Sequence, residues 1–358
     1  MRIIQLLTTL SFGDAVSNDA LALRGAIADM GYETAIYAEN IDRRLPKDAA
    51  GHISEMPELS SGDALLYHLS TGTDLNFRLP SFSCRKMMIY HNITPPEYFR
   101  PYSPQAAALT EYGLEGVRFL HDKVDYCLAD SEYNKAELLK YGYDCPVDVR
   151  PVLVRFEDYA QPHDDGVYRK YTSDGFTNII FVGRIAPNKK QEDLILTYYK
   201  YHKLNPKSRL ILVGSYSGME NYHERLMTYA QRLGVAENVV FTGHISFPAI
   251  LAFYKAADVF LCMSEHEGFC VPLVEAMYFD VPVIARRTSA IPCTMGNSGF
   301  LTDTDSPDFT AKAIERVVTD KQLRQIIIDG QRERLKDFDS KRVTDTFKNS
   351  LQKFLNMD

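Results

Sequence analysis

The sequence predicts an α/β protein made of two Rossmann-like, doubly wound parallel-sheet domains facing across a cleft. Three observations carry this. Short apolar, strand-like runs alternate with helix-like segments along the chain, the pattern of parallel α/β folds. The alternation stops in a polar, turn-rich stretch at residues 157–176 and then restarts, as a second domain would. The 358 residues also exceed one typical domain and suit two, each able to bury a core.

In the first half, strands are expected at residues 2–8, 33–38, 63–68, 86–91, 125–129 and 147–150. Helices between them begin at recognisable caps, Asn18 before a run ending near Gly31 and Ser131 before one ending at Gly142. Further helix is expected near Pro95-Pro96 and from about Ser103 to Leu120. After the break, strands are expected at 177–182, 208–213, 238–242, 258–262 and 282–285, with helices near 190–203, 219–233, 247–256 and 272–279. Nearly all of the tail beyond Ser306 reads as helix. The resulting organisation is an N-terminal domain at 1–156, a linker at 157–176, a C-terminal domain at 177–338 and a last helix at 339–358.

Composition narrows the function. Hydrophobic residues at 45% and charged residues at 24% are ordinary for a globular enzyme. No apolar run approaches the roughly 18 residues that span a bilayer. The start, Met1 to Leu7, reads as a strand rather than a signal peptide, so a cytoplasmic protein is expected. Six scattered cysteines without a C-x-x-C agree with a reducing compartment. The first 150 residues carry 14 Lys and Arg against 21 Asp and Glu, leaving the remainder balanced at 26 of each. A nucleic-acid partner calls for the opposite bias. A local basic patch such as Arg43, Arg44 and Lys47 suits weak peripheral contact with a membrane headgroup.

The motif richest in chemistry is Glu267-Gly268-Phe269-Cys270-Val271-Pro272-Leu273-Val274-Glu275. It follows a buried-type strand, and Pro272 suits the first turn of a helix. Glu267 therefore falls on a loop at the carboxyl end of a strand. Glu275 lies about one turn into the next helix, near unpaired N–H groups that can hold phosphate oxygens. Ionised carboxylates only accept hydrogen bonds, and sugar hydroxyls are natural donors to them. A second loop, Gly183-Arg184-Ile185-Ala186-Pro187-Asn188-Lys189, supplies two cations spaced to reach one diphosphate. In the first half, Gly13 and Asp14 lie on the loop after the first strand, where backbone N–H groups could approach a phosphate. His91 ends a buried-type strand and is the leading polar contact of that half.

Other signals point away from competing chemistries. No G-x-G-x-x-G or G-x-S-x-G occurs, and His223-Glu224 and His266-Glu267 lack the second His of a zinc protease. Asp303-Thr304-Asp305 spells a D-x-D, but it precedes Ser306-Pro307 and reads as part of a helix cap.

Taken in order, Gly13, Gly183 to Lys189 and the Glu267/Glu275 pair resemble the retaining glycosyltransferases of family 4, which have the GT-B fold. That resemblance covers nearly the whole chain. It implies an acceptor-binding first domain, a nucleotide-sugar-binding second domain and a last helix that crosses back to the first. Glu267 would accept hydrogen bonds from the donor sugar, and Gly268, Phe269, Cys270 and Val271 would offer backbone to sugar and diphosphate. Glu275 would hold the ribose, Arg184 and Lys189 the diphosphate, and Ile245 within Gly243 to Ser246 would lie against the base. His91 would sit near the reacting centre. The sequence departs from the commonest pattern at Cys270 and Lys190, both often glycine, which bears on local backbone geometry.

The activity so implied is transfer of a hexose, with retention and without a metal or other cofactor, from a nucleotide-diphosphate sugar to a glycan or lipid-linked glycan. GDP-mannose is the first donor to consider and a UDP-sugar the next. A nucleotide-sugar epimerase and a non-catalytic nucleotide-sugar-binding protein are the alternatives.

Overall fold

A computed structural model describes residues 1–357. The chain divides into two compact units. Unit 1 comprises Met1–Glu97, Gln105–Val154 and Phe338–Asp358, and unit 2 comprises Tyr98–Pro104 and Arg155–Asp337.

Unit 1 is built on a seven-stranded parallel sheet of β1 (Arg2–Leu10), β2 (Glu33–Ile41), β3 (Gly51–His52), β4 (Ala64–Leu69), β5 (Arg85–Tyr90), β6 (Tyr126–Ala129) and β7 (Val147–Val149), in the order β3-β2-β1-β4-β5-β6-β7. All six residues of β4, Ala-Leu-Leu-Tyr-His-Leu, are buried, as expected of a strand covered on both faces. Its side chains alternate between two cores. Leu65, Tyr67 and Leu69 pack with Met88, Tyr90, Val117 and Leu138. Ala64 and Leu66 pack with Ile3, Leu23 and Ile27. The final helix, Ser340–Leu355, buries Phe347, Leu351 and Phe354 in that second core. Arg85 donates to the carbonyls of Phe354, Leu355 and Met357, which satisfies the last turn of that helix.

Unit 2 repeats the same wiring in a six-stranded parallel sheet. Its strands are β8 (Thr177–Val182), β9 (Ser208–Val213), β10 (Val239–Phe241), β11 (Val259–Cys262), β12 (Val283–Arg286) and β13 (Phe300–Thr302), ordered β10-β9-β8-β11-β12-β13. In both sheets the strand order reverses beside the first strand, between β1 and β4 and between β8 and β11. Ligands of doubly wound sheets bind outside the carboxyl ends at such switch points.

Several local expectations are corrected. The first helix runs Ala15–Asp29 and is capped by Asp14, whose carboxylate accepts from Ser17 N at 3.0 Å; Asn18 lies inside it. Residues 157–176, read as the linker, carry ordered elements. A 3-10 helix at Phe156–Ala160 buries Tyr159, and a helix at Asp165–Thr172, capped by Asp164, buries Tyr171. Strands β3 and β13 were not expected. In the D-x-D segment the cap of helix Pro307–Thr319 is Ser306, while Asp303 and Asp305 pair with Arg287 and Arg286.

Candidate active site

Two loops of unit 2 leave the strands that flank its switch point. The loop after β8 runs through Gly183 to Lys190, and the loop after β11 runs through Met263 to Cys270. Asn188 stitches them together. Its carbonyl accepts from Glu265 N at 2.9 Å, and its side-chain amide donates to the His266 carbonyl at 3.0 Å. This join brings Lys189 Nζ onto Glu267 Oε2 as a salt bridge and hydrogen bond. Glu267 is only 6% exposed. Burial opposes the charge on Lys189, but the Glu267 carboxylate outweighs it and holds the ammonium above its ordinary range. His266 is pushed the other way, down to about 4, by burial and by that ammonium, so its ring is neutral.

Side chains from the following segment tie down the loop after β11. Ser289 Oγ accepts from Glu267 N at 2.9 Å, and Thr294 Oγ1 donates to the Phe269 carbonyl. Cys270 then caps the helix Val271–Tyr278 in a left-handed conformation, φ 72° and ψ 68°. Lys190 takes the same kind of backbone, φ 51° and ψ 50°, at the start of helix Gln191–His202. Both departures from glycine thus fall at left-handed positions, where a side chain costs about 1–2 kcal/mol. Gly214, after β9, is a glycine for a different reason: a Cβ there would lie 2.0 Å from the Gly183 carbonyl oxygen.

Of the other expected site residues in unit 2, Arg184 is exposed and donates to the Ser217 carbonyl at 3.1 Å. Gly268 and Val271 bracket Phe269 and Cys270 on the same loop and helix start. Ile245 is half-buried on the loop after β10, next to the bridge between Gly214 and Gly243. Glu275 lies on the helix started by Cys270, and its two oxygens accept from Tyr159 and Tyr254 at 2.8 and 2.6 Å. Neither tyrosine was singled out by sequence. Tyr159 is 116 positions away in the stretch read as linker.

Unit 1 holds Gly13, Asp14 and His91. Gly13 has φ 76° and is exposed; the Asp14 carboxylate is engaged by Ser17 N and Oγ as the helix cap. The His91 side chain is 2% exposed and both ring nitrogens are engaged, Nδ1 with Asp130 Oδ2 at 2.8 Å and Nε2 with His68 Nδ1 at 2.9 Å. His68 Nε2 continues to Gln5 Oε1 at 2.9 Å. Beside this chain, Arg150 makes a two-point pair with Asp19 at 2.8 and 2.6 Å, and its Nη2 lies 3.9 Å from Asp130 Oδ1. Burial opposes a charged His91, but the Asp130 carboxylate prevails and raises its pKa. Burial and the charge on His91 lower that of His68. The pair therefore shares its protons unequally, with His91 the charged member.

Among the described residues, two sets of side chains, Asp19/His68/His91 and Cys262/Glu267/Cys270, each bring possible metal-ligand atoms within 4.8 Å of one another. In the first, each side chain is already hydrogen-bonded within unit 1; in the second, Glu267 is paired with Lys189. All six cysteines are free thiols. The expected basic patch is partly neutralised, because Arg44 is held by Asp42 at 2.6 Å and lies over the ring of Phe12. Among the described residues, no helix is long and apolar enough to cross a membrane.

Residues 169–334 match the family described as Glycosyl transferases group 1. A D-inositol 3-phosphate glycosyltransferase of Corynebacterium jeikeium is 28% identical over 215 residues, 57% of this chain and about half of the relative, 51%. An O-antigen chain mannosyltransferase B of Escherichia coli is 24% identical over 70% of this chain and 66% of its own. Among solved structures, HepE of Anabaena in complex with UDP and glucose superposes with a TM-score of 0.76 at 19% identity, covering 99% of this chain and all of that one, 100%. Together with the two doubly wound sheets, this is the GT-B fold.

Proposed function

We propose, on the premise that residues 169–334 of this chain are a glycosyl transferases group 1 domain, that the protein transfers a hexose from a nucleotide-diphosphate sugar to a glycan or lipid-linked glycan in polysaccharide biosynthesis. The observation that carries this reading is the Lys189–Glu267 pair at the switch point of unit 2, one loop from a helix N-terminus. It supplies a fixed cation for departing phosphate charge and a fixed carboxylate for sugar hydroxyls. Arg184 is exposed on the same loop as Lys189 and adds a second cation.

The mechanism proposed is retaining and metal-independent. The leaving diphosphate accepts the acceptor's proton as the new bond forms on the same face, and Lys189 and Arg184 stabilise the developing charge. Engagement of Asp303 and Asp305 by arginines supports a role for protein cations rather than an ion on that D-x-D. With both nitrogens of His91 engaged by Asp130 and His68, its proposed role near the reacting centre is that of a charged, oriented group rather than a free base. The name of the Escherichia coli relative favours mannose as the sugar transferred, in line with a GDP-mannose donor as the first to test, and the ligands named with the Anabaena structure favour a UDP-sugar. The proposed location is cytoplasmic, with any membrane contact peripheral.

A thermal-shift panel of UDP, GDP and ADP with their sugars tests the reading. A ligand at 100 times its dissociation constant adds about 2.7 kcal/mol of stability. No shift with any of them would sink it. Transfer of labelled sugar to an acceptor, without isomerisation of the donor, separates a transferase from an epimerase.

A further inference from the structure

Glu275 is an unusual carboxylate. It stands mid-helix with no cation paired to it among the described residues, and its two hydrogen bonds come from neutral phenols. Tyr159 OH donates to one oxygen and Tyr254 OH to the other, and the next acceptor near Tyr254 OH, the Pro272 carbonyl, is further away at 3.4 Å. Both rings are clamped. Tyr254 is 1% exposed and stacks on Phe279 with centroids 5.2 Å apart and planes 11° apart. Tyr159 is 8% exposed and packs against Tyr278 and Phe279 at 5.3 and 5.8 Å. Burial raises the Glu275 pKa, and the hydrogen bonds from Tyr254 and Tyr159 offset part of that rise by favouring the carboxylate.

A carboxylate oxygen has two acceptor positions. With one used on each oxygen, one remains on each, so the group can receive two donors side by side. A vicinal diol supplies such a pair. We infer that Tyr159 and Tyr254 are positioning residues that hold Glu275 for the 2′- and 3′-hydroxyls of a donor ribose, and thereby set a preference for ribonucleotides over 2′-deoxyribonucleotides. The inference rests on the donor-site reading proposed above. A free glutamate would have to lose its rotamer freedom on binding; here the phenols have already fixed it. A site built to bond a hydroxyl rejects the analogue lacking it, because the acceptor is left unpaired.

The test measures, by titration calorimetry, the affinities of UDP against 2′-deoxy-UDP and GDP against 2′-deoxy-GDP for wild type, Tyr254→Phe and Tyr159→Phe. Wild type is expected to prefer the ribonucleotide by about tenfold or more, the worth of a hydrogen bond to a charged group. Each variant should lower that ratio to roughly threefold or less while keeping its circular dichroism spectrum, and should raise the donor KM more than it lowers kcat. A folded variant that binds more weakly with the ratio unchanged would reduce the tyrosines to packing and overturn the inference, leaving the donor-site reading intact. Equal affinity of wild type for ribo and deoxy forms would do the same. Binding of neither UDP nor GDP by wild type would overturn both. Should the deeply buried Tyr254 variant fail to fold, Tyr159→Phe carries the same test from the other oxygen.

Discussion

Replacing Arg150 by methionine strands a carboxylate in the core of unit 1. Arg150 and Asp19 are both fully buried, 0% exposed, and two charge-assisted bonds of 2.8 and 2.6 Å join them. Without the guanidinium, Asp19 keeps only the Leu153 N–H, at 2.8 Å. Breaking a buried pair by removing one member costs roughly 3–5 kcal/mol, about 140-fold to 4,000-fold in the folding equilibrium at about 1.4 kcal/mol per power of ten. Asp19→Asn should fall at the low end of that range, since Asp130 Oδ1 remains 3.9 Å from the orphaned cation and the amide oxygen can still accept from Leu153. The double variant should lose less than the sum of the two, by about 2 kcal/mol. Urea unfolding followed by circular dichroism reads the free energies, because the chain has no tryptophan, Trp 0. Two-unit proteins need not unfold in one step, so hydrogen exchange in peptides of β1 and β7 assigns the loss to unit 1. A cost below about 1 kcal/mol for Arg150→Met, or strict additivity, would refute the reasoning.

Arg184→Ala should fold normally, since the side chain is exposed, and should lower turnover roughly tenfold to a hundredfold, the worth of a charge-assisted bond to phosphate; unchanged turnover would remove it from the site. Lys190→Gly should stay within about 1 kcal/mol of wild type, because relief of the left-handed backbone offsets the lost Glu265 pair and the added chain entropy. Lys190→Val, with a branch at Cβ, should be clearly less stable in the same urea experiment. Stability of unit 1 should peak near the ordinary histidine pKa of about 6.5. The raised His91 contributes below that pH and its contribution is lost as pH rises through its folded value; the depressed His68 contributes above it, and its contribution is lost as pH falls from there through its lowered folded value. Asp130→Asn should abolish the decline on the alkaline side, and an unchanged profile would show that His91 is not the group responsible.

The strands were legible because parallel strands covered on both faces are written as apolar runs, as Val259-Phe260-Leu261-Cys262 is. The short strands β3 and β13, of two and three residues, have no periodicity to read. Asp14 and Asn18 are both good capping types, and the choice between them was made by which carboxylate or amide reaches a free N–H three residues on. In the candidate site, the sequence offered Lys189 and Glu267 as separate motifs 78 positions apart. Their pairing depends on strand order, which places β8 and β11 side by side. Tyr159, Tyr254 and His68 gave no signal, because a hydroxyl or imidazole inside an apolar neighbourhood reads as ordinary core until its partner is located.

The chain leaves and re-enters the units at Glu97, Pro104, Val154 and Asp337, so neither is a continuous stretch of sequence. During synthesis, the strands of unit 1 emerge ahead of most of unit 2 yet lack Phe347, Leu351 and Phe354 until the helix Ser340–Leu355 is made, whereas all of unit 2 is already present by Asp337. A nascent chain stalled before residue 340 would therefore present an open hydrophobic face on β1, β4, β5 and the first helix, exposed to chaperones or aggregation. The helix that seals the sheet of unit 1 is made only after the whole of unit 2.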